Sequence, residues 1–167
     1  MKFSIDNALV TEFLNKQAGD AASKVVKILK KEMTDEQISK KLKMDINETR
    51  SVLNKLHYLG IIDYNKEKEK DSNWYTFTWF LRKERIEELL IEKYKEEQQE
   101  LEKKLAFEQA YAFFKCTNNG CKKLPFELAC EYNFKCPECG GLMEAFDDKE
   151  EKKKLKIKIE QIRKLIG

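Results

Sequence analysis

Four of the five cysteines in this 167-residue sequence fall into two close pairs in its C-terminal third. Cys116 and Cys121 are separated by four residues, Cys136 and Cys139 by two, and 14 residues separate the pairs. These spacings are typical of the paired ligands of structural zinc, and four thiolates leave no coordination position for a catalytic water. The sequence therefore predicts one structural Zn²⁺ bound by these four cysteines.

The second pair lies in CPECGG, which has the composition of a metal-binding knuckle. Pro137 fixes the first turn, and Gly140 and Gly141 permit positive φ while backbone N–H groups face the sulfur atoms. We expect the segment between the pairs to form a strand-turn-strand excursion. Cys130 lies in the apolar run FELACEYNF and is predicted to be buried in packing, outside the ligand set.

Other cysteine chemistries fit the sequence less well. A thioredoxin-like centre needs a βαβ setting, which is not visible around C-P-E-C. A disulfide frame leaves an odd cysteine and needs an oxidising compartment, whereas the N-terminus MKFSIDNALV does not have the pattern of a signal peptide. Ligand type alone leaves an iron–sulfur cluster open as an alternative. We expect an intracellular, cytoplasmic protein associated with the nucleoid.

Catalytic motifs are missing from the sequence. His57 is the single histidine, and we expect it at the surface or at a boundary of the core. Neither G-x-G-x-x-G nor G-x-x-x-x-G-K-[ST] occurs, so no phosphate-binding loop is predicted. No apolar run of about 18 residues occurs, so no membrane span is expected. The sequence does not read as that of an enzyme.

The N-terminal half predicts a winged helix-turn-helix. Helices are expected at 4–16 and 20–31, followed by a short helix capped by Thr34 and a longer helix that starts near 46 and ends at Gly60. The charged stretch YNKEKEKDSN and the alternating run WYTFTW then predict a β-hairpin. One alternating face of that hairpin must face the core, so at most half of its aromatic side chains are free.

The second helix of the helix-turn-helix has clearly separated faces. Its predicted outward residues are Asn47, Glu48, Arg50, Ser51, Asn54, Lys55 and Tyr58. Arg50 and Lys55 are offset by Asp45 and Glu48, so residues 45–59 carry no net charge with His57 neutral. A helix that reads the major groove normally carries a basic surplus that contacts phosphates. This helix is therefore expected to face protein or to touch DNA weakly.

The remaining segments are helical or rich in cysteine. Residues 82–111 predict a long charged helix of roughly 40 Å with apolar ends and a polar middle. Its C-terminal apolar patch comprises Leu101, Leu105 and Phe107. Residues 112–147 predict the zinc ribbon, and residues 148–167 a basic amphipathic helix that seeks a partner helix. With the winged helix at 1–81, the fold class is α+β and multidomain.

This order of modules resembles archaeal transcription factor E and the N-terminal half of the alpha subunit of general transcription factor IIE. The resemblance rests on ETRSVLNKLHYLGIIDY, on NWYTFTW and on LPFELACEYNFKCPECGG, and it covers nearly the whole chain. It implies a non-enzymatic initiation factor that binds the clamp and stalk of RNA polymerase beside the TATA-binding protein and factor B. Such a factor assists promoter melting, and a second factor E subunit is a further partner.

In the resembling family the wing lies near the melted non-template strand. The resemblance assigns that role here to Lys66, Lys68, Lys70, Trp74 and Tyr75. Exposed aromatic rings suit unpaired bases, because stacking tolerates any sequence.

Two features depart from the family pattern. The first cysteine pair is spaced by four residues where two are expected, and a short basic helix replaces the long acidic extension of the eukaryotic subunit. A rival interpretation is a sequence-specific winged-helix regulator that dimerises through the long helix and uses the zinc ribbon for dimerisation or sensing. It predicts a palindromic site and a steep salt dependence.

Overall fold

The computed structural model of the chain describes residues 4–68, 75–118 and 120–167. Contacts divide the chain into two compact units, Met1–Glu92 and Lys93–Gly167. The predicted α+β, multidomain fold is confirmed: a winged helix-turn-helix, a long helix and a ribbon that brings four cysteines together. The finer division at 81, 111 and 147 stays a prediction.

The first unit is built on four short helices and the start of a fifth. The four are α1 (Ala8–Ala18), α2 (Ala22–Ile28), α3 (Asp35–Leu42) and α4 (Ile46–Tyr58). Thr34 caps α3 and forms a reciprocal capping box with Gln37. Asp45 caps α4 by accepting from the N–H groups of Asn47 and Glu48. Lys43, with φ of 54°, makes the turn between the helices.

Helix α4 has the predicted faces. Its buried residues are Thr49, Val52, Leu53 and Leu56, which pack at helical spacing into the core, and all seven predicted outward residues are exposed. Gly60 follows the cap with φ of 71° and reverses the chain into the sheet.

The sheet of the first unit has the order β1-β3-β2, with β1 at Met33–Thr34, β2 at Ile62–Lys68 and β3 at Tyr75–Leu81. The antiparallel register of β2 and β3 sets Tyr64 opposite Trp79 and Lys66 opposite Phe77. These residues share one face because side chains alternate along a strand. Lys70 and Trp74, which the sequence analysis assigned to the wing, lie outside the described residues.

Helix α5 runs from Lys83 to Ala110. Ile86 and Leu90 are fully buried in the first unit. In the second unit Leu101 and Leu105 of the C-terminal apolar patch are half-buried, and Phe107 of the same patch is exposed. The buried residue at this end of α5 is Glu108, only 4% exposed, because a lysine from the ribbon pairs with its carboxylate.

The ribbon of the second unit has the sheet order β5-β4-β6. Its elements are β4 (Phe113–Cys116), β5 (Leu124–Pro125), α6 (Phe126–Glu131) and β6 (Met143–Phe146). The expected strand-turn-strand excursion is wrong, since a short helix, α6, follows Pro125. The prediction that Cys130 is buried is also wrong: Ala129 takes the buried position, and one helical step of 100° leaves Cys130 exposed.

Helix α7 (Lys149–Ile166) lies against the part of α5 that belongs to the second unit. Ile159 and Ile162 on its apolar side are buried. Salt bridges join Lys158 to Glu97 at 2.8 Å and Arg163 to Glu102 at 2.7 Å. The tail therefore finds a partner helix within its own chain. Across the described ranges, every helix is too short or too polar to cross a membrane.

Candidate metal centre and wing surface

The four predicted ligands converge at one point of the ribbon. Cys116 ends β4, and the bridge between Lys135 and Leu142 brings the chain around at the second pair. The Sγ atoms of all four cysteines lie within 4.8 Å of one another, with 3.4 Å between those of Cys116 and Cys139. The four-residue spacing of the first pair is thus no obstacle, and the group could hold a metal ion.

Asn118 connects the two pairs. Its backbone N–H donates to Cys116 Sγ at 3.4 Å, and its side-chain Nδ2 donates to Cys139 Sγ at 3.2 Å. A Cβ on Gly141 would lie 3.0 Å from Asn118 Nδ2 and 3.3 Å from Cys116 Sγ, so a side chain there would crowd both groups. The expectation of positive φ holds for Gly140, at 73°, but not for Gly141.

The thiols of the cluster differ in acidity. The Asn118 side chain, then the Gly141 backbone N–H, lower the pKa of Cys139 to about 6. The Sγ of Cys139, then burial, raise the pKa of Cys121 well above its ordinary value. Neighbouring thiolates repel one another, so deprotonating all four requires a cation between them.

The exposed aromatic side chains of the wing form a graded surface. Trp79 at the base of the hairpin is 8% exposed, and Tyr75 towards the tip is 48% exposed on the same face. Lys66 Nζ lies 3.9 Å from the Tyr75 ring centroid, within the range of a cation–π contact. Tyr64, which the sequence did not single out, is partly exposed and packs 5.2 Å from the rings of both Phe77 and Trp79. Lys68 is exposed opposite Tyr75.

Helix α4 presents a different surface. The Arg50 guanidinium is paired with Asp35 of α3, whereas Lys55 and Tyr58 are exposed, Tyr58 at 91%. His57 packs 5.2 Å from Tyr64 between ring centroids, and its Nε2 lies 3.5 Å from Asp63 Oδ1. His57 is thus at a boundary of the core, as expected.

One charged cluster has no signal in the sequence. Lys123 Nζ lies 2.6 Å from both Glu108 Oε2 of α5 and Glu151 Oε2 of α7. It also lies 4.6 Å from the ring centroid of Phe113 in β4. Three elements of the second unit therefore meet at one ammonium group.

Comparison with known proteins assigns the family. The sequence model of the family described as the TFIIE alpha subunit matches residues 8–110 of this chain. "Transcription factor E" of Methanococcus vannielii is 39% identical over 132 residues, covering 78% of this chain and 74% of the relative. The protein of that name from Methanocaldococcus jannaschii is 37% identical, over 87% of this chain and 86% of the relative. The one from Pyrococcus abyssi is 30% identical, over 93% of this chain and 83% of the relative. The chain therefore belongs to the TFIIE alpha subunit family, the family of transcription factor E, and is a general transcription factor and not an enzyme.

Proposed function

We propose that this general transcription factor binds RNA polymerase in the pre-initiation complex and assists promoter melting and open-complex stability. The polymerase contacts would be its clamp and stalk, beside the TATA-binding protein and factor B. The observation that carries the proposal is a contrast between two surfaces of the first unit. Helix α4 carries no net charge, whereas the wing exposes aromatic rings next to lysine.

Helix α4 is a poor reader of duplex DNA on three counts. Residues 45–59 have two acids and two bases besides His57. One of the bases, Arg50, is engaged by Asp35. Its exposed large hydrophobic side chain is Tyr58, at 91%, and tyrosine is enriched at protein–protein interfaces. Lys55 and Tyr58 border a shallow groove with Gln17 of α1, which we assign to a protein partner.

The wing fits an unpaired strand of melted promoter DNA. Tyr75 and Phe77 offer ring faces for base stacking, and Lys66 beside them supplies positive charge for the backbone. Stacking tolerates any sequence, which suits a factor that serves many promoters. Lys68, Lys70 and Trp74 are assigned to the same surface.

The metal of the ribbon is proposed to be one structural Zn²⁺. Four sulfurs around zinc, each about 2.3 Å from the metal in a tetrahedron, would lie about 3.8 Å apart. The Sγ separations of 3.4 Å and 3.6 Å from Cys139 to Cys116 and Cys121 fit that shell. When bound, zinc would offset part of the negative charge of the four thiolates and would tie the two knuckles together. Cys116, Cys121, Cys136 and Cys139 would hold it and would leave no coordination position for catalysis.

The decisive experiment is a pull-down with purified RNA polymerase, followed by permanganate footprinting of open complexes on a weak promoter. We expect co-purification and a higher yield of melted DNA. Tyr75→Ala combined with Phe77→Ala should reduce melting while co-purification is kept. A tight footprint on one palindromic duplex without polymerase would instead establish the rival sequence-specific regulator.

A further inference from the structure

The exposed side chains of helix α2 and of the turn that follows it are all lysines. Between Ala22 and Lys31 the exposed residues are Lys24, Lys27, Lys30 and Lys31. The other side of this segment is buried in the first unit through Ala22, Ser23, Val25, Val26 and Leu29. We call the four exposed residues the α2 lysine face.

The charge of this face is not balanced locally. No acidic residue occurs between Asp20 and Glu32, so residues 21–31 carry four positive charges. Among the described residues, the ion pair recorded for this face joins Lys27 Nζ to the exposed carboxylate of Asp6 at 3.7 Å. The carboxylate of Glu32 accepts a hydrogen bond from the side chain of Asn65 in β2. In helix α4, by contrast, the two acidic and two basic residues of 45–59 cancel in charge.

A fifth lysine extends the face. An open cleft of about 590 Å³ beside α2 is lined by Lys27, Lys30 and Lys83, the first residue of α5. Val26, Leu29 and Leu81 form its apolar lining. Asp6, the partner of Lys27, also lines the cleft, so three lysines and one carboxylate border it and its charge is positive on balance, all within the first unit.

We propose that the α2 lysine face binds the phosphate backbone of duplex DNA without reading its sequence. Lysine acts as a point charge for phosphate, and contacts to phosphate position a protein on DNA without sequence information. Protein–protein interfaces are depleted of lysine and enriched in tyrosine, tryptophan and arginine, and this face has none of these three. Duplex DNA carries one charge per about 1.7 Å, which suits a cluster of lysines better than a single strand does.

This surface is separate from the wing and goes beyond the proposed function. The wing would hold an unpaired strand, while the α2 lysine face would hold the paired DNA through its phosphates. The two contacts differ in chemistry, because one depends on aromatic stacking and the other on salt-sensitive charge.

The test compares two triple variants of the full zinc-loaded chain. K24Q/K27Q/K30Q removes three charges from the α2 lysine face, and glutamine keeps a helix propensity close to that of lysine. The matched control K16Q/K40Q/K41Q removes three charges from exposed lysines of α1 and α3. Fluorescence anisotropy measures binding to a labelled 25-base-pair duplex and to its single strand over a salt series, and thermal melts verify folding.

We expect the α2 variant to bind the duplex at least about tenfold more weakly at low salt, with the slope of log K against log salt smaller by about 2–3. The control should keep most of the wild-type affinity and slope. Equal losses of affinity in both variants would show an effect of net charge only and would overturn the proposal. Wild-type affinity in the α2 variant would also overturn it, and so would the absence of duplex binding by the wild-type chain.

Two further outcomes separate this inference from the proposed function. If the α2 variant keeps duplex binding but loses co-purification with polymerase, the face contacts protein and the inference fails. If the duplex result is as expected while wild-type chain fails to co-purify with polymerase, the inference stands and the proposed function fails. A larger loss on the single strand than on the duplex would contradict the assignment to paired DNA.

Discussion

Arg50 Nε in α4 donates a hydrogen bond of 2.5 Å to Asp35 Oδ2 at the start of α3. This contact raises the pKa of the Arg50 guanidinium, first through the hydrogen bond and then through the negative charge of Asp35. The most basic group of the outward face is therefore engaged within the helix-turn-helix. Arg50 therefore links α4 to α3 and is less available for binding DNA or a partner protein.

Arg50→Ala should lower the melting temperature of the first unit and change binding of polymerase or DNA by less than about twofold, as is typical of an exposed ion pair. Lys55→Ala is the matched control, because it removes an exposed charge from the same helix without an ion pair recorded for it among the described residues. A double-mutant cycle with Asp35→Ala measures the coupling. A strong loss of partner binding with unchanged stability would show that Arg50 is itself a contact.

The wing aromatics should separate into binding and folding positions. Tyr75→Ala and Phe77→Ala should each weaken binding to a bubble duplex by about 1–3 kcal/mol per lost stack, with little effect on stability. Trp79→Ala should instead destabilise the first unit by about 3–5 kcal/mol, since Trp79 is buried. Titration of bubble DNA and chemical denaturation, run on the same variants, measure the two effects. Equal binding by Tyr75→Ala and wild type would exclude a stacking role for that ring.

Removing the metal should unfold the ribbon alone. Its small core contains Cys116, Cys136 and Met143, so few apolar contacts remain once the thiolates are released. Structural zinc in small modules supplies an apparent ~10–16 kcal/mol, which these side chains do not replace. Chelation should therefore abolish ordered structure in residues 112–147 while residues 4–68 stay folded, as followed by hydrogen exchange.

Cysteine variants provide the control for that experiment. Cys136→Ser with Cys139→Ser should lose the metal, whereas Cys130→Ser should keep one zinc per chain because Cys130 is exposed and outside the ligand group. Metal content by mass spectrometry under native conditions measures both. Loss of zinc from Cys130→Ser would contradict the assigned ligand set, and simultaneous melting of both units on chelation would contradict their independence.

Lys123→Met should destabilise the second unit by about 3 kcal/mol, because it leaves the buried carboxylate of Glu108 without its cation. Replacing both partners, as in Lys123→Met with Glu108→Leu, should recover much of that loss, since no charge is then left buried. Thermal melts of zinc-loaded protein provide the measurement. If the double variant is less stable than the single one, an unpaired buried charge does not explain the loss caused by Lys123→Met.

The contact between α5 and α7 should weaken in acid. The Gln98 side chain first, and then Arg163, lower the pKa of Glu102 below its ordinary value of 4.5. A carboxyl group with a lowered pKa contributes stability above its unfolded pKa and loses it as pH falls through the lower folded value. The protection of α7 amides against hydrogen exchange, relative to their intrinsic exchange rates, should therefore fall only below about pH 4.5. Arg163→Met should reduce this dependence, and an unchanged profile would count against the contact.

The sequence by itself determined the elements whose signals are local. Thr34 and Asp45 cap α3 and α4 because a short polar side chain can reach the free N–H groups of the next turn. The spacing of Val52, Leu53 and Leu56 determined the buried face of α4, since helical periodicity depends on chain geometry alone. The four cysteines proposed as metal ligands were identifiable for the same reason, because two close pairs of cysteines can be recognised from their spacing in the sequence.

Only the tertiary structure decided which residues meet across distant segments. Cys130 is exposed because the turn of α6 places Ala129 inward, and Glu108 is buried because Lys123 of the ribbon reaches it. Tyr75 and Trp79 share one face of a strand, yet only Trp79 is buried, because the core underlies only the base of the hairpin. Burial and pairing depend on what lies opposite a side chain in space, and local periodicity carries no information about that partner.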